Sequence, residues 1–492
     1  TEEPLAETST DGIDWAAAVS HARDVGGPGL RAMTFAARGK MLEALAKAIH
    51  AHRDELLGLG IDNGGNTRGD AKFDVDGAIA TLDWYARLGA TLGEHVRMVD
   101  GEALQLARSP RFVGRHVWVA REGVAVHVNA FNFPAWGLVE KAAVAWLAGA
   151  PVVTKPATAT ALLAHRLVEV LLASGALPEG ALTFVAGGVG NLLDHLHGQD
   201  VLAFTGSSDT GAKLRSIDAA VARSVRVNVE ADSLNAAVLG RDVERGSETW
   251  QLFVRDVVRD ITQKAGQKCT AIRRVLVPED LAEAVIEDLG ERLSAIRIGN
   301  PADPEVRMGP VTSHAQRREV LEGAAAIARE ARTVVGDPAA RPDGKGYFVH
   351  PILFHAKRGH DAPIVHAREV FGPVATVLGY GAPDEAVAMI RRGAGGLVSS
   401  IYTDDRAVLE PLLFGIAPFH GRLMLGSAKI AEHSTGPGTV LPALVHGGPG
   451  RAGGGEELGS ARGLAFYQQR VALQGDRAVL DKVLADLPNA PR

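Results

Sequence analysis

The sequence predicts an α/β fold: a doubly wound parallel sheet, a second α/β unit after it in the chain, and a small β arm beside the two. Three observations predict it. From Val124 onward, short apolar runs of strand length alternate with segments of helical period; the alternation restarts near Asn235; and a basic, irregular stretch from Gly101 to Arg121 interrupts an otherwise helical beginning. Strands that alternate with helices form parallel sheets, and these bind ligands in the crevice at the strands' C-terminal ends.

The elements follow in order. Residues 1–100 read as mainly helical, since Lys40 to Leu59 carries apolar residues at helical spacing with Glu43, Lys47 and Arg53 on a solvated face. The stretch Gly101 to Arg121 ends in Arg-His-Val-Trp-Val-Ala-Arg, an extended hairpin suited to a subunit-contact arm. Strands are then expected at Val124 to Val128, Pro151 to Lys155, Leu182 to Ala186 and Val201 to Thr205. Helices at Trp136 to Leu147 and Leu162 to Ala173, and a further segment at Asn191 to Leu196, lie between them. The second series has strand candidates Arg274 to Val277, Phe348 to Phe354, Val374 to Tyr380 and Leu397 to Tyr402, and a helix from Leu281 to Leu293. From Gly436 to Gly463 glycine is too dense for a long regular element. No repeat and no low-complexity linker separates the units, so they are expected to pack together.

A chain of 492 residues is long for one hydrophobic core, which fits two or three domains. Its 46% hydrophobic and 22% charged residues are ordinary globular values, and no run approaches the roughly 20 apolar residues of a membrane helix. The acidic start, Thr1 to Asp11, lacks the basic and apolar regions of a secretory signal, so a cytoplasmic protein is expected. A net charge of −6 argues against general nucleic-acid binding. The 17 histidines form no HExxH and there is one cysteine, so no metal site is expected. A single cysteine also cannot close an intrachain disulfide, and the reason for keeping it becomes the question.

That cysteine is Cys269, in Ala-Gly-Gln-Lys-Cys-Thr. A lone cysteine is usually a small core residue; here its neighbours are polar and flexible, a setting for a nucleophile whose thiolate forms readily when its pKa falls. Asn-Ala-Phe-Asn-Phe-Pro, Asn129 to Pro134, ends the first parallel strand, where it is either a capping turn or a turn aiming an amide at a developing oxyanion. Lys155 and the loop Gly206 to Gly211 sit where strand gives way to helix, the place at which backbone N–H groups and the helix dipole favour phosphate. Each also reads as a plain strand-to-helix turn. The glycine spacing begins like a Walker A loop and fails at Ala212, Lys213 and Leu214; with no Mg²⁺-binding motif and no GxGxxG after a first strand, neither phosphoryl transfer nor an ordinary Rossmann site is indicated. Glu230 follows the alternating stretch Val225 to Val229, and Glu369 stands in Glu-Val-Phe-Gly-Pro. Alone, either is an exposed or turn carboxylate.

Together, in order and spacing, these five segments resemble the aldehyde dehydrogenase superfamily over essentially the whole chain. The resemblance implies that fold, with Cys269 as nucleophile, Glu230 as general base and Asn132 as oxyanion amide. It implies Lys155 at the adenosine ribose, Ser207 at the pyrophosphate, and Glu369 with Phe371 at the nicotinamide ribose, with Asn129, Phe131, Thr158 and Gly206 beside them on the cofactor. It also implies a cofactor-binding domain of residues 1–100 and 122–234, and an oligomerisation arm of 101–121 with 464–492. A catalytic domain of 235–428 and a glycine-rich return segment of 429–463 complete the division. A homodimer or dimer of dimers is expected.

Asn-Ala-Phe-Asn-Phe-Pro-Ala-Trp-Gly, Lys-Pro-Ala-Thr-Ala-Thr, Glu-Ala-Asp-Ser-Leu-Asn, Lys-Ala-Gly-Gln-Lys-Cys-Thr-Ala-Ile-Arg-Arg and His-Gly-Gly-Pro-Gly-Arg-Ala-Gly-Gly-Gly-Glu-Glu-Leu-Gly resemble one branch in particular. Its members oxidise coenzyme A-linked semialdehydes after ring opening in phenylacetate or benzoate degradation, such as 3-oxo-5,6-dehydrosuberyl-CoA semialdehyde or 3,4-dehydroadipyl-CoA semialdehyde. Two departures are expected: no C-terminal enoyl-CoA hydratase domain, and a shorter N-terminal segment. The resemblance implies thiohemiacetal formation at Cys269, hydride loss to the cofactor, and hydrolysis of the thioester by water that Glu230 activates. NAD-specific members commonly carry a glutamate three residues after the lysine; Thr158 stands there, which implies NADP. The alternatives are a general or CoA-acylating aldehyde dehydrogenase, or a non-catalytic structural relative.

Overall fold

The computed structural model describes residues 2–338 and 345–490. Helices Phe35–Ala51, Arg53–Gly64 and Arg68–Leu92 dominate the N-terminal region. The helix expected from Lys40 to Leu59 is thus two helices, parted at His52, whose φ/ψ of −103°/14° leave the helical region. The third helix opens on a capping box in which the Thr67 hydroxyl accepts from the Asp70 N–H and the Asp70 carboxylate accepts from the Thr67 N–H. Asp74, one turn on, is fully buried and accepts the N–H groups of Trp136 at 2.7 Å and Ala135 at 3.3 Å. It caps the helix Trp136–Ala148, which has no side-chain cap of its own. The turn holding Asn132 is thereby pinned from another helix.

Fifteen strands make three sheets among the described residues. Strands β1 (Met98–Gln105) and β2 (Phe112–Ala120) form the expected hairpin, and β15 (Gln468–Asp476) pairs antiparallel along β2, giving the order β1-β2-β15. The second sheet is parallel throughout, built from β3 (Ala125–Val128), β4 (Val152–Lys155), β5 (Leu182–Phe184), β6 (Val201–Thr205) and β7 (Arg226–Glu230) in the order β5-β4-β3-β6-β7. The chain winds outward from β3 to β5 and then returns to the other side of β3. That reversal opens a crevice over the C-terminal ends of β3 and β6.

The third sheet contains β8 (Ala236–Leu239), β9 (Arg274–Pro278), β10 (Arg332–Val335), β11 (Ile352–Ala356), β12 (Val374–Tyr380), β13 (Gly396–Tyr402) and β14 (His420–Gly426). Its order is β10-β11-β12-β9-β8-β13-β14, with only β10 antiparallel to its neighbour. The strand expected at Phe348 to Phe354 starts only at Ile352. Pro351 precedes it and has no N–H to give a ladder. Asn191 to Leu196 contains a single 3₁₀ turn, Leu192–His195. No helix among the described residues is long and apolar enough to cross a membrane.

Only short 3₁₀ turns, Gly450–Ala452 and Ser460–Gly463, interrupt the glycine-rich segment after Gly436. Its glycines serve close approach. Gly453 sits at φ +104° against β7, and a Cβ there would run into the Val229 carbonyl oxygen. Gly453→Ala should therefore lift the segment from β7, lowering stability by on the order of 2 kcal/mol or more and reducing activity with it. Gly454, at φ +69° with nothing within 4 Å of the place a Cβ would take, is the control: Gly454→Ala carries backbone strain alone, about 1 kcal/mol. Thermal melts and rates of the two variants decide, and equal effects would refute close approach as the reason for Gly453.

Candidate active site

Three polar side chains meet where the second and third sheets face each other. Asn132 lies in the turn after β3, Glu230 is the last residue of β7, and Cys269 stands in the loop before β9. All three line one narrow chamber of about 30 Å³, walled by Phe73, Phe133 and Trp136. The Asn132 amide donates one hydrogen to the Gln267 carbonyl at 3.1 Å. Its second N–H is left for a ligand in the chamber.

The cysteine loop is held by backbone geometry and by one amide. Lys264, Ala265 and Gly266 lie in left-handed conformations at φ 53°, 51° and 70°, and the Gly266 Cα packs on the Gly372 carbonyl so closely that no side chain fits. Asn235, fully buried, donates to the carbonyls of Cys269 at 2.8 Å and Ala271 at 2.9 Å. Lys268 forms a buried ion pair with Asp260 at 2.7 Å and donates to Gln263 at 2.9 Å.

The electrostatics revise one sequence expectation. The pKa of Cys269 is not lowered but pushed well up, by burial first and then by the negative charges of Glu230 and Glu140. The resting thiol is protonated, so a base must receive its proton. Glu230 brings a carboxylate oxygen within 4.8 Å of the sulfur. Burial works against its charge, yet His446 at 3.2 Å and the Lys141 ammonium hold its carboxyl well below the usual carboxylate range. The neighbouring Glu457 goes the other way: burial and the charges of Glu230 and Glu140 push it far up despite its 3.1 Å contact with Lys141. Glu230 is thus driven toward its charged form and Glu457 toward its neutral form.

Lys141, Glu140, Glu457 and His446 were missed from the sequence. Adjacent charges in the otherwise apolar helix Trp136–Ala148 were the available signal for the first two, because buried ions require partners. His446 and Glu457 lie in the glycine-rich motif that also carries the branch resemblance, but nothing local marked them as site residues. Glu230, Cys269 and His446 bring ligand-type atoms within 4.8 Å of one another, as do Glu140, Glu230 and Glu457. In the second set Lys141, 3.3 Å from Glu140 and 3.1 Å from Glu457, supplies the positive charge.

The residues read as cofactor contacts stand at the C-terminal ends of β3, β4 and β6 and, for Glu369 and Phe371, in the loop before β12. Asn129, just past β3, donates its amide to Thr154 at 2.9 Å and keeps a buried Oδ1 with no partner. Lys155 ends β4, half-buried, with its ammonium on the Pro156 carbonyl at 3.0 Å; burial lowers its pKa. Thr158 is exposed at the start of the turn Thr158–Thr160, which no side chain caps. Gly206 follows β6, and Ser207 caps the helix Ser208–Arg215 by accepting from Thr210. From the facing sheet, Glu369 accepts the Ser233 N–H at 3.1 Å and contacts Arg273 at 3.4 Å; burial pushes its pKa up to about 7, against the pull of Arg273. The rings of Phe131 and Phe371 meet edge to face at 5.8 Å across the crevice.

Comparison with known proteins gives a consistent result. A family model described as the aldehyde dehydrogenase family matches residues 1–472. The chain is 46% identical over 454 residues, 91% of its length and 88% of the relative's, to the 3,4-dehydroadipyl-CoA semialdehyde dehydrogenase of Aromatoleum evansii. Among solved structures, PnpE in complex with nicotinamide adenine dinucleotide is similar at a TM-score of 0.80 with 26% identity, covering 93% of this chain and 89% of that one. Betaine aldehyde dehydrogenase from Staphylococcus aureus with NAD⁺ shares the fold at a TM-score of 0.81 with 24% identity, covering 94% and 87%.

The charges around the thiol make a direct test. Glu230→Gln removes the adjacent negative charge, lowers the Cys269 pKa and raises the thiolate fraction, so iodoacetamide should alkylate Cys269 severalfold faster at about pH 8 than in wild type. Mass spectrometry follows the rate. Slower alkylation in the variant would mean that Glu230 acts on the thiol chiefly as its proton acceptor and not as a repelling charge.

Proposed function

The chain belongs to the aldehyde dehydrogenase family, an oxidoreductase family that uses a nicotinamide cofactor, and we propose that it oxidises the aldehyde end of a coenzyme A-linked semialdehyde to the carboxylic acid. The proposed setting is the cytoplasmic degradation of an aromatic compound such as phenylacetate or benzoate, with NADP as the preferred oxidant. The observation that carries the reading is the 46% identity to a 3,4-dehydroadipyl-CoA semialdehyde dehydrogenase over 91% of the chain.

The residues divide the work as follows. Cys269 Sγ bonds to the aldehyde carbon as Glu230 takes the thiol proton, and the new oxyanion accepts hydrogen bonds from the Asn132 amide and the Cys269 backbone N–H. The nicotinamide cofactor supplies the acceptor for the hydride, and loss of that hydride leaves a thioester on Cys269. Glu230 releases the thiol's proton to solvent, then takes a proton from water as the water oxygen bonds to the acyl carbon, and returns it to the departing Cys269 sulfur, which frees the acid. His446 and Lys141 keep Glu230 ionised for both tasks. The coenzyme A thioester at the far end of the substrate is untouched. A carboxylate poised beside the thiol favours water over free coenzyme A as acyl acceptor.

The crevice suits a dinucleotide. Lys155 has no carboxylate partner among the described residues, the Asn129 Oδ1 is unpartnered, and the helix after Ser207 points its N-terminus into the space. Ser207, Glu369 and Phe371 would hold the pyrophosphate and nicotinamide ribose, with Phe131 and Gly206 beside them. The absence of a carboxylate at Thr158 supports NADP, because a carboxylate there would repel a 2′-phosphate whereas a hydroxyl can donate to it and Lys155 can pair with it. A homodimer or dimer of dimers through the β1-β2-β15 arm is supported by its exposed apolar side chains, Leu104, Phe112 and Val471.

Rates with adipyl-CoA semialdehyde and with hexanal, each with NAD and NADP, test the substrate and the cofactor. The CoA-linked substrate with NADP should give the highest kcat/KM. Thr158→Glu should move the NADP/NAD ratio toward NAD by about tenfold, which needs roughly 1.4 kcal/mol. Equal use of both cofactors by wild type would refute the NADP preference, and equal rates with hexanal would refute the CoA-linked substrate. In the same assay, Glu230→Gln should lose burst and steady state together, because the protonated thiol then lacks its acceptor; a burst of NADPH followed by a stall with an acyl group on Cys269 would show that the carboxylate serves only to activate water.

A further inference from the structure

The catalytic chamber does not end at its aromatic walls. Phe73, Trp136 and Val440 also line an outer cavity of about 450 Å³, which reaches Gln263, Lys72 and Gly69. Those last three residues in turn border a larger groove of about 790 Å³. Sharing these walls, the three spaces follow one another from Cys269 outward, changing in character: aromatic at the thiol, mixed in the middle where Thr439 and Leu441 take part, and basic at the outer end.

The outer groove is lined by Arg68, Lys72, Arg255, Arg259, Arg292 and Arg307. Two of them are committed, Arg259 to Asp256 at 2.8 Å and Arg68 to Asp54 at 2.8 Å. Arg255 stands 3.9 Å from Asp256. Lys72, Arg292 and Arg307 have no carboxylate in ion-pair contact among the described residues, and Arg292 reaches only the Gln251 side-chain carbonyl at 2.6 Å. The acids on the lining do not compensate. Asp70 is buried and spent on backbone N–H groups and the Thr67 hydroxyl, and Asp303 is paired outward with Arg297 at 2.9 Å. A chain of net charge −6 thus concentrates unpaired positive charge at the mouth of its substrate route. Such a concentration attracts polyanions and holds phosphates through charge-assisted hydrogen bonds.

We propose that this groove binds the phosphorylated nucleotide end of the coenzyme A-linked substrate, its 3′-phosphate and 5′-diphosphate. The pantetheine arm then lies in the middle cavity past Lys72, and the acyl chain delivers the aldehyde to Cys269. The inference rests on the substrate reading above and adds where the handle is held. It also separates the two phosphate-bearing ligands: the cofactor enters along the β3–β6 crevice, and the substrate handle occupies the opposite approach, formed by the helix Arg68–Leu92, the ends of the helices Glu248–Thr262 and Ala282–Ser294, and residues 301–307.

The test compares wild type with Arg292→Glu, Arg307→Glu and the double variant. The ratio of kcat/KM for adipyl-CoA semialdehyde to that for hexanal should fall by tenfold or more in the double variant, with the larger part in KM. Calorimetric binding of free coenzyme A, measured with saturating NADP to block the cofactor crevice, should weaken in parallel. An unchanged ratio while wild type prefers the CoA-linked aldehyde would overturn the groove and leave the substrate reading standing. If wild type shows no such preference yet binds free coenzyme A through Arg292 and Arg307, the substrate reading falls and the groove stands as a nucleotide site. Absence of coenzyme A binding together with an unchanged ratio refutes the groove outright.

Discussion

The buried amide of Asn235 is the interaction on which the site depends. Cys269 and Glu230 are held by different sheets, and the chain crosses between them in the few residues from Glu230 to Ala236. Asn235 spends both amide hydrogens on the cysteine loop, at Cys269 and Ala271, and its Oδ1 accepts the Val398 N–H at 3.0 Å. Its own carbonyl accepts from Arg273 at 3.1 Å and Arg274 at 3.2 Å. One residue thereby fixes the cysteine loop to β13 and to the start of β9. Each unmade bond at a fully buried site costs about 1–3 kcal/mol, so no other side chain at this position could hold the loop without loss.

With the sulfur and the carboxylate held at that distance, charge becomes the second constraint. Cys269, Glu230, Glu140 and Glu457 are four acids in one small space, and their mutual repulsion forbids ionising all of them together. Lys141 and His446 resolve this by ionising Glu230 while leaving Cys269 and Glu457 protonated. The result is a base charged beside an acid that is not, separated by less than 4.8 Å from the atom that must lose its proton. A dense run of glycine makes this arrangement possible, since only residues without Cβ let the segment bearing His446 and Glu457 lie directly on β7.

Chemical identity was legible along the chain. Cys269 could be singled out because it is the only thiol, Asn132 because it follows the first apolar strand of a parallel series, Lys155 and Gly206 because strand passes to helix there, and Glu230 through the family resemblance, since the alternating stretch before it reads as a half-exposed strand. The parallel units could be read because strands buried on both faces are continuous apolar runs, as in Val152–Lys155 and Val201–Thr205. Strands with half-exposed or mixed patterns, such as β10 and β14, gave no such run and were invisible.

The sequence by itself determined which chemistry is available and in what order along the chain its parts occur, because residue type and local periodicity are properties of neighbours. Tertiary structure alone decided the protonation pattern of the site, since the pKa of Cys269 depends on Glu140, about 130 residues away in the chain, and that of Glu230 on His446, about 216 away. It alone also decided that Asp74 caps the helix at Trp136 and that the basic side chains of four separate segments gather in one groove. Burial and through-space charge act between groups that folding brings together, and no local pattern records which groups those will be.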